Sequence, residues 1–97
     1  MTVPFCSRTD GFIHDLKRLV NIDSGSDNIA GIEKVAHFLA PRLEAIGLAV
    51  SLERLGDRGV PCLYAGNAAA DQKADLLMLG HMDTVFPVGE VQRRPFA

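Results

Sequence analysis

The sequence predicts a mixed α/β fold in which two helices precede three strands. Apolar residues recur at helical spacing through the first half of the chain. After Gly47 the period switches to two, and a short run near residue 77 is apolar on both faces. The 97 residues make one small domain at most, and a hydrophobic fraction of 47% is enough to build a core.

The first helix is expected from Thr9. Thr9 or Asp10 can cap its first turn, and Phe12, Ile13, Leu16, Leu19 and Val20 form its apolar side. Asp15, Lys17 and Arg18 take the opposite side. The segment "NIDSGSDN" then breaks the helix, and Asp23, Ser24 and Ser26 read there as turn and capping residues. A second helix carries the stripe Ile29, Ile32, Val35, Ala36, Leu39, Leu43 and Ile46. Gly47 stands where a left-handed C-terminal cap is expected. Pro41 lies inside this pattern, which predicts a kink or two abutting segments.

Leu48, Val50 and Leu52 alternate with Ala49, Ser51 and Glu53, as in a half-buried strand. "GDRG" makes a turn, and "VPCLYAG" is a second strand whose Pro61 suits an edge or a strand start. "NAAADQKA" connects to a third strand, Asp75 to Leu79. Being apolar on both faces, that run reads as a central parallel strand covered on both sides. Two helices and three strands cover only part of the faces of such a sheet. "EVQRRPFA" reads as an extended ending without helix or cap, the look of a chain that has been cut.

Composition removes several classes of function. A net charge of -2 with mixed signs gives no basic footprint for nucleic acid and no polybasic patch for a membrane surface. The apolar runs are far short of the roughly 20 residues that span a bilayer. "MTVPFCSRTDGF" lacks a basic region followed by an apolar stretch, so no secretory signal is expected. Cys6 and Cys62 have no metal-ligand spacing; reduced thiols in a cytoplasmic setting are expected, with Cys62 a small core residue and Cys6 incidental.

The chemistry gathers at the end of the third run, in "LLMLGHMDTVFP". Ligands of open α/β sheets collect at the carboxyl ends of the strands. His81 stands there, after Gly80. Strand alternation turns His81 and Asp83 to one side and Met82 back toward the core. A neutral imidazole is the commonest metal ligand, and an adjacent carboxylate can orient the ring and raise its basicity. On the residues alone, the same pair also reads as a solvated hydrogen bond. His14 and His37 read as surface histidines of the two helices. Glu33, Lys34, Arg93 and Arg94 read as solvated charges, although the paired arginines could hold a substrate carboxylate.

The ordered words "LVNIDSGS", "LEAIGLAV" and "LLMLGHMDTVFPVGEVQRRPF" resemble the N-terminal part of a zinc-dependent family. It comprises glutamate carboxypeptidases, aminoacylases and acetylornithine deacetylases. "GHMDTVFP" and "RPF" are most similar to the glutamate carboxypeptidase branch, and the resemblance runs from about Phe12 to Phe96. It implies the N-terminal part of a largely parallel, three-layer α/β/α catalytic domain. His81 matches the family's first metal-ligand histidine, and Asp83 the acidic active-site residue that positions it. Two zinc ions would activate a water for attack on an amide carbonyl, with a glutamate as general base. The substrates implied are small peptides and acyl amino acids, and the full-length proteins are often homodimers.

The sequence departs from this family downstream. The bridging aspartate, the glutamate pair, the further carboxylate ligand and the distant second histidine have no counterpart within these 97 residues, and neither does the dimerisation domain. The expectation is a truncated catalytic-domain segment that binds zinc weakly or not at all and hydrolyses nothing by itself. Two other readings stay open: a noncatalytic interaction module that pairs through an unsatisfied sheet edge, or a remnant without function.

Overall fold

The computed structural model describes residues 5–67 and 75–96, with side chains described from residue 8. The side chain of Cys6 and most of the "NAAADQKA" connection therefore lie outside what is described. The elements are α1 (Phe5–Val20), α2 (Ile29–Ala45), β1 (Ala49–Leu55), β2 (Val60–Gly66) and α3 (Glu90–Arg93).

The α2 helix organises the fold, and its two ends are set locally. Asn28 caps it, its side-chain oxygen accepting the Gly31 N–H at 3.0 Å. At the other end Gly47 takes φ +94°, as its position predicts. The Leu48 N–H donates to the Leu43 carbonyl at 3.2 Å and the Gly47 N–H to Glu44 at 3.0 Å, the paired bonds of a Schellman ending. Pro41 sits on the exposed side, and α2 runs through it as one element. Its missing N–H faces solvent, where water can serve the carbonyl one turn back.

Ile32, Val35, Ala36 and Phe38, all from α2, form the buried core among the described residues, joined only by Pro61 of the strands. The rest of the expected stripe fades: Leu39 and Leu43 are half-buried, and Ile46 is exposed. Burying one such side chain stabilises by roughly 1.5–3 kcal/mol, so this is a small core.

β1 and β2 form an antiparallel hairpin closed by Gly56 to Gly59, with Leu55 opposite Val60 and Ala49 opposite Gly66. Val50, Leu52 and Leu63 face α2 beside Ala36 and Ala40, on the side their alternation predicts. Pro61, at the start of β2, is buried on the same face. Cys62 is a free thiol on the outward face, half-buried, so it is not the core residue expected. An ion pair between Arg54 and Glu33 ties the hairpin to α2, and Glu33 is thus a structural partner rather than only a solvated charge.

α1 begins at Phe5, ahead of the expected start, which places Thr9 and Asp10 inside the helix instead of at its cap. Phe12, Ile13 and Val20 are exposed, while Leu16 and Leu19 are half-buried. A polar seam joins α1 to α2. Arg42 donates to Asp15 through Nη2 at 3.0 Å and Nε at 3.3 Å, and its guanidinium lies 3.7 Å from the centre of the Phe38 ring.

That seam has a consequence for acid stability. The hydrogen bond from Arg42, aided by its charge, holds the Asp15 carboxyl below its ordinary value. The folded state therefore keeps Asp15 ionised at lower pH than the unfolded chain does. Its contribution is complete above the ordinary carboxylate range and is lost as pH falls through the folded value. In urea titrations, the stability gap between the parent and Asp15→Asn should narrow as pH falls from neutral through and below the ordinary carboxylate range. A gap that stayed constant across that range would reject the pair's contribution.

The largest departure from expectation is the run Asp75 to Leu79, which forms no strand. Leu76, Leu77, Met78 and Leu79 are between 75% and 87% exposed. A central parallel strand takes its hydrogen bonds from neighbours on both sides. Among the described residues no main chain lies alongside this run, and the sheet is two-stranded and antiparallel. The architecture is thus mixed α/β, and among the described residues no parallel layered sheet forms; parallel pairing there is confined to one bridge, between Gly25 and Thr84. The radius of gyration, 15.7 Å, exceeds the about 13 Å of a compact 100-residue domain, in keeping with uncovered apolar faces. No described helix is long and apolar enough to cross a membrane.

Candidate functional site

The loop between α1 and α2 gathers the second half of the chain. Thr84 donates its N–H to the Ser24 carbonyl at 2.8 Å and accepts the Ser26 N–H at 3.0 Å, the two bonds flanking Gly25. A Cβ on Gly25 would lie 2.3 Å from the Phe86 carbonyl oxygen, closer than any side chain tolerates. Glycine at 25 is what lets the two segments touch. Further out, Asn21 donates to the Phe96 carbonyl at 3.1 Å and accepts the Phe96 N–H at 2.8 Å.

Asp23 is a capping residue, as the sequence suggests, but for a distant element. Its carboxylate accepts the N–H groups of Gly89 and Val91, each at 3.1 Å, at the start of α3. The first half of the segment read as an extended ending, Glu90 to Arg93, is therefore one helical turn. A carboxylate far back in the chain stabilises it, favoured also by the positive end of the peptide dipoles.

This scaffold presents His81 and Asp83. The His81 Nδ1 lies 2.8 Å from the Asp83 main-chain oxygen and 3.3 Å from its Oδ1. An atom facing two oxygens carries the proton in the neutral ring, which leaves the lone pair on Nε2. The His81 side chain is 83% exposed, whereas Asp83 is only 38% exposed. The second carboxylate oxygen, Oδ2, accepts the Ser26 hydroxyl at 2.6 Å. That donation holds the Asp83 carboxyl below its ordinary value against the opposing effect of partial burial, with smaller help from its own backbone and His81. The two predicted site residues are thus together and on one side, although no strand places them there. Ser26 is the partner the sequence did not indicate. Its contact joins segments remote along the chain, and no local spacing announces it.

The remaining candidates lie elsewhere. His14 is exposed on α1, and His37 is exposed on α2 with Nε2 at 3.7 Å from Glu33. Arg93 and Arg94 pair with Glu90 at 3.3 and 2.7 Å within α3. A cavity of about 400 Å³ opens between Leu19, Ile22, Thr84, Phe86, Val91 and Arg94. Ser24 also lines it, and His81 does not.

A catalytic zinc takes about three protein ligands and a water. Among the described residues no group of three or more His, Cys, Asp or Glu side chains could hold a metal ion. The donor set matches one corner of such a site, an imidazole with an orienting carboxylate, and does not match a complete one.

Fold and site together describe a mixed α/β chain with a histidine–x–aspartate pair anchored on the α1–α2 loop. In sequence it is similar to carboxypeptidase G2 of Pseudomonas sp. (strain RS-16), at 31% identity over 84 residues. The match takes in 87% of this chain and 20% of that protein, so the chain spans about a fifth of the length of the curated relative it matches. No family model matches the chain. No solved structure matches it either.

Proposed function

We propose that this chain is the N-terminal segment of a carboxypeptidase-type, metal-dependent amidohydrolase. In this reading His81 supplies one metal ligand through Nε2, and Asp83 orients the ring through Nδ1. The observation that carries it is the attitude of the His81 ring. Its Nδ1 turns to Asp83, so the lone pair on Nε2 is the one presented to a Lewis acid. The similarity to carboxypeptidase G2 supports the same class of activity.

The finer parts of the reading come from the family resemblance. The metal would be zinc, the substrates C-terminal glutamates, small peptides or N-acyl amino acids, the full-length assembly a homodimer and the setting cytoplasmic. Asp75 to Leu79 would become the central strand of a three-layer α/β/α domain once neighbouring strands are supplied. The exposure of that run on both faces supports this. The other ligands and the general base would come from residues outside this chain. Within it, the Asp83 main-chain oxygen accepts the Nδ1 hydrogen bond of His81 with the carboxylate beside it, which raises electron density at Nε2, and the chain by itself completes no hydrolytic step.

Zinc titration of the chain, followed residue by residue through amide resonances, tests the reading. Weak binding is expected, no tighter than one or two ligands allow, with shifts centred on residues 81–84 that vanish in His81→Ala. Shifts that persist in that variant would remove His81 from the assignment. Tight, stoichiometric binding would show a fuller ligand set than the single corner proposed.

A further inference from the structure

We infer that Ser26 is a positioning residue for the His81–Asp83 pair, its hydroxyl locking the Asp83 carboxylate in the orientation that faces His81. The inference rests on the metal-ligand reading of His81 and adds a residue to it.

One carboxylate oxygen is fixed by a hydrogen bond, and the other lies beside the imidazole. Oδ2 accepts the Ser26 hydroxyl at 2.6 Å, and Oδ1 faces the His81 Nδ1 at 3.3 Å. The first distance falls in the range of a hydroxyl bonded to an ionised acceptor, the stronger kind of hydrogen bond. The longer contact is the one left free to vary. A carboxylate held at one oxygen has little freedom to turn the other away. The Ser26 hydroxyl also lies 3.3 Å from the Thr84 carbonyl, a longer contact, so the hydroxyl is directed at the carboxylate more closely than at the main chain beside it.

The reach of that hydroxyl is fixed by the backbone. The Ser26 N–H and the Ser24 carbonyl both bond Thr84, the residue next to Asp83. Hydroxyl and carboxylate thus belong to two strips of chain clamped to each other one residue away. The main-chain oxygen of Asp83 also engages Nδ1, at 2.8 Å. Loss of the hydroxyl should therefore weaken the ring's orientation without abolishing it.

The test uses the whole chain and reads the three imidazole rings through long-range proton–nitrogen correlations. Zinc alone serves as the ligand. His14 and His37 are internal controls. In the parent, His81 should populate mainly the Nδ1–H tautomer. Ser26→Ala should move it toward the more common Nε2–H form and weaken zinc binding about threefold, less than the about 10- to 100-fold of direct partners of a metal ligand. Ser26→Cys, which keeps the volume but donates weakly, should behave like Ser26→Ala, and Ser26→Thr should restore the parent signature. Should Ser26→Ala fail to fold, the Cys and Thr variants decide the matter.

Asp83→Asn separates the two levels of the argument. If it shifts the His81 ring while the Ser26 variants leave it unchanged, the role of Ser26 is overturned and the His81–Asp83 reading stands. If neither substitution moves the ring, both are overturned. A shift in all variants that lack a strong hydroxyl donor, with recovery in Thr, supports Ser26 as the positioning residue.

Discussion

Gly31→Ala should destabilise the fold by about 1–3 kcal/mol, although alanine is the better helix former. Helix propensity alone favours alanine over glycine by about 1 kcal/mol. At this position, however, a Cβ would lie 1.7 Å from the main-chain oxygen of Asp23 and 2.8 Å from the Asn28 Nδ2. Neither atom is free to retreat. The Asp23 oxygen accepts the Asn28 amide at 2.9 Å, and Asn28 in turn caps α2 through the Gly31 N–H. Overpacking costs about 1–3 kcal/mol and loss of an N-cap about 1 kcal/mol, so together they outweigh propensity. Against a total stability on the order of 5–15 kcal/mol, the urea midpoint should fall visibly. A variant as stable as the parent would mean that the first turn of α2 does not rest against the Asp23 main chain.

Gly25→Ala should instead separate the site from the rest of the fold. The added Cβ meets the Phe86 carbonyl oxygen at 2.3 Å, and relief requires the segment from Thr84 to Phe86 to move off the α1–α2 loop. The cost is about 1–3 kcal/mol by the same overpacking argument. Hydrogen exchange gives the more specific readout. Protection of the Ser26 and Thr84 amides, which bond Thr84 and Ser24, should collapse. Amides of the β1–β2 hairpin should keep theirs, because the hairpin packs on α2 and its ladder is independent of that bridge, which it meets only through the Arg58 side chain on the Ser26 carbonyl. The His81 ring should lose its tautomer preference along with the contact to Ser26. Retained protection at Ser26 and Thr84 would sink the proposed geometry of the close approach.

The contrast between these variants shows why some features were legible in the sequence and others were not. Asn28 and Gly47 bracket α2 because a cap and a left-handed ending act within one turn of the residues that encode them. The alternation through Val50 and Leu52 named the face that meets α2, since strand geometry fixes side-chain direction residue by residue. His81 and Asp83 could be paired from spacing, as they are two residues apart. Ser26 could not, because its contact with Asp83 depends on how the Gly25 loop meets Thr84. Asp23 read as a turn or capping residue, and which helix it serves could not be read for the same reason.

The run Leu76 to Leu79 is the instructive failure. A stretch apolar on both faces encodes a demand for burial, and it carries no information about whether neighbouring strands are present to meet it. A strand is a property of a pair of main chains. By itself, then, the sequence determined the local elements: two helices, a hairpin, and a histidine and aspartate placed to face the same way. Only the tertiary structure decided what those elements touch. It made Asp23 and Asn21 anchors for the far end of the chain, brought Ser26 onto Asp83, and left the apolar run unpaired. The physical reason is range. Caps, turns and alternation are settled within a few residues, whereas hydrogen bonds between remote segments exist only once the chain has closed on itself.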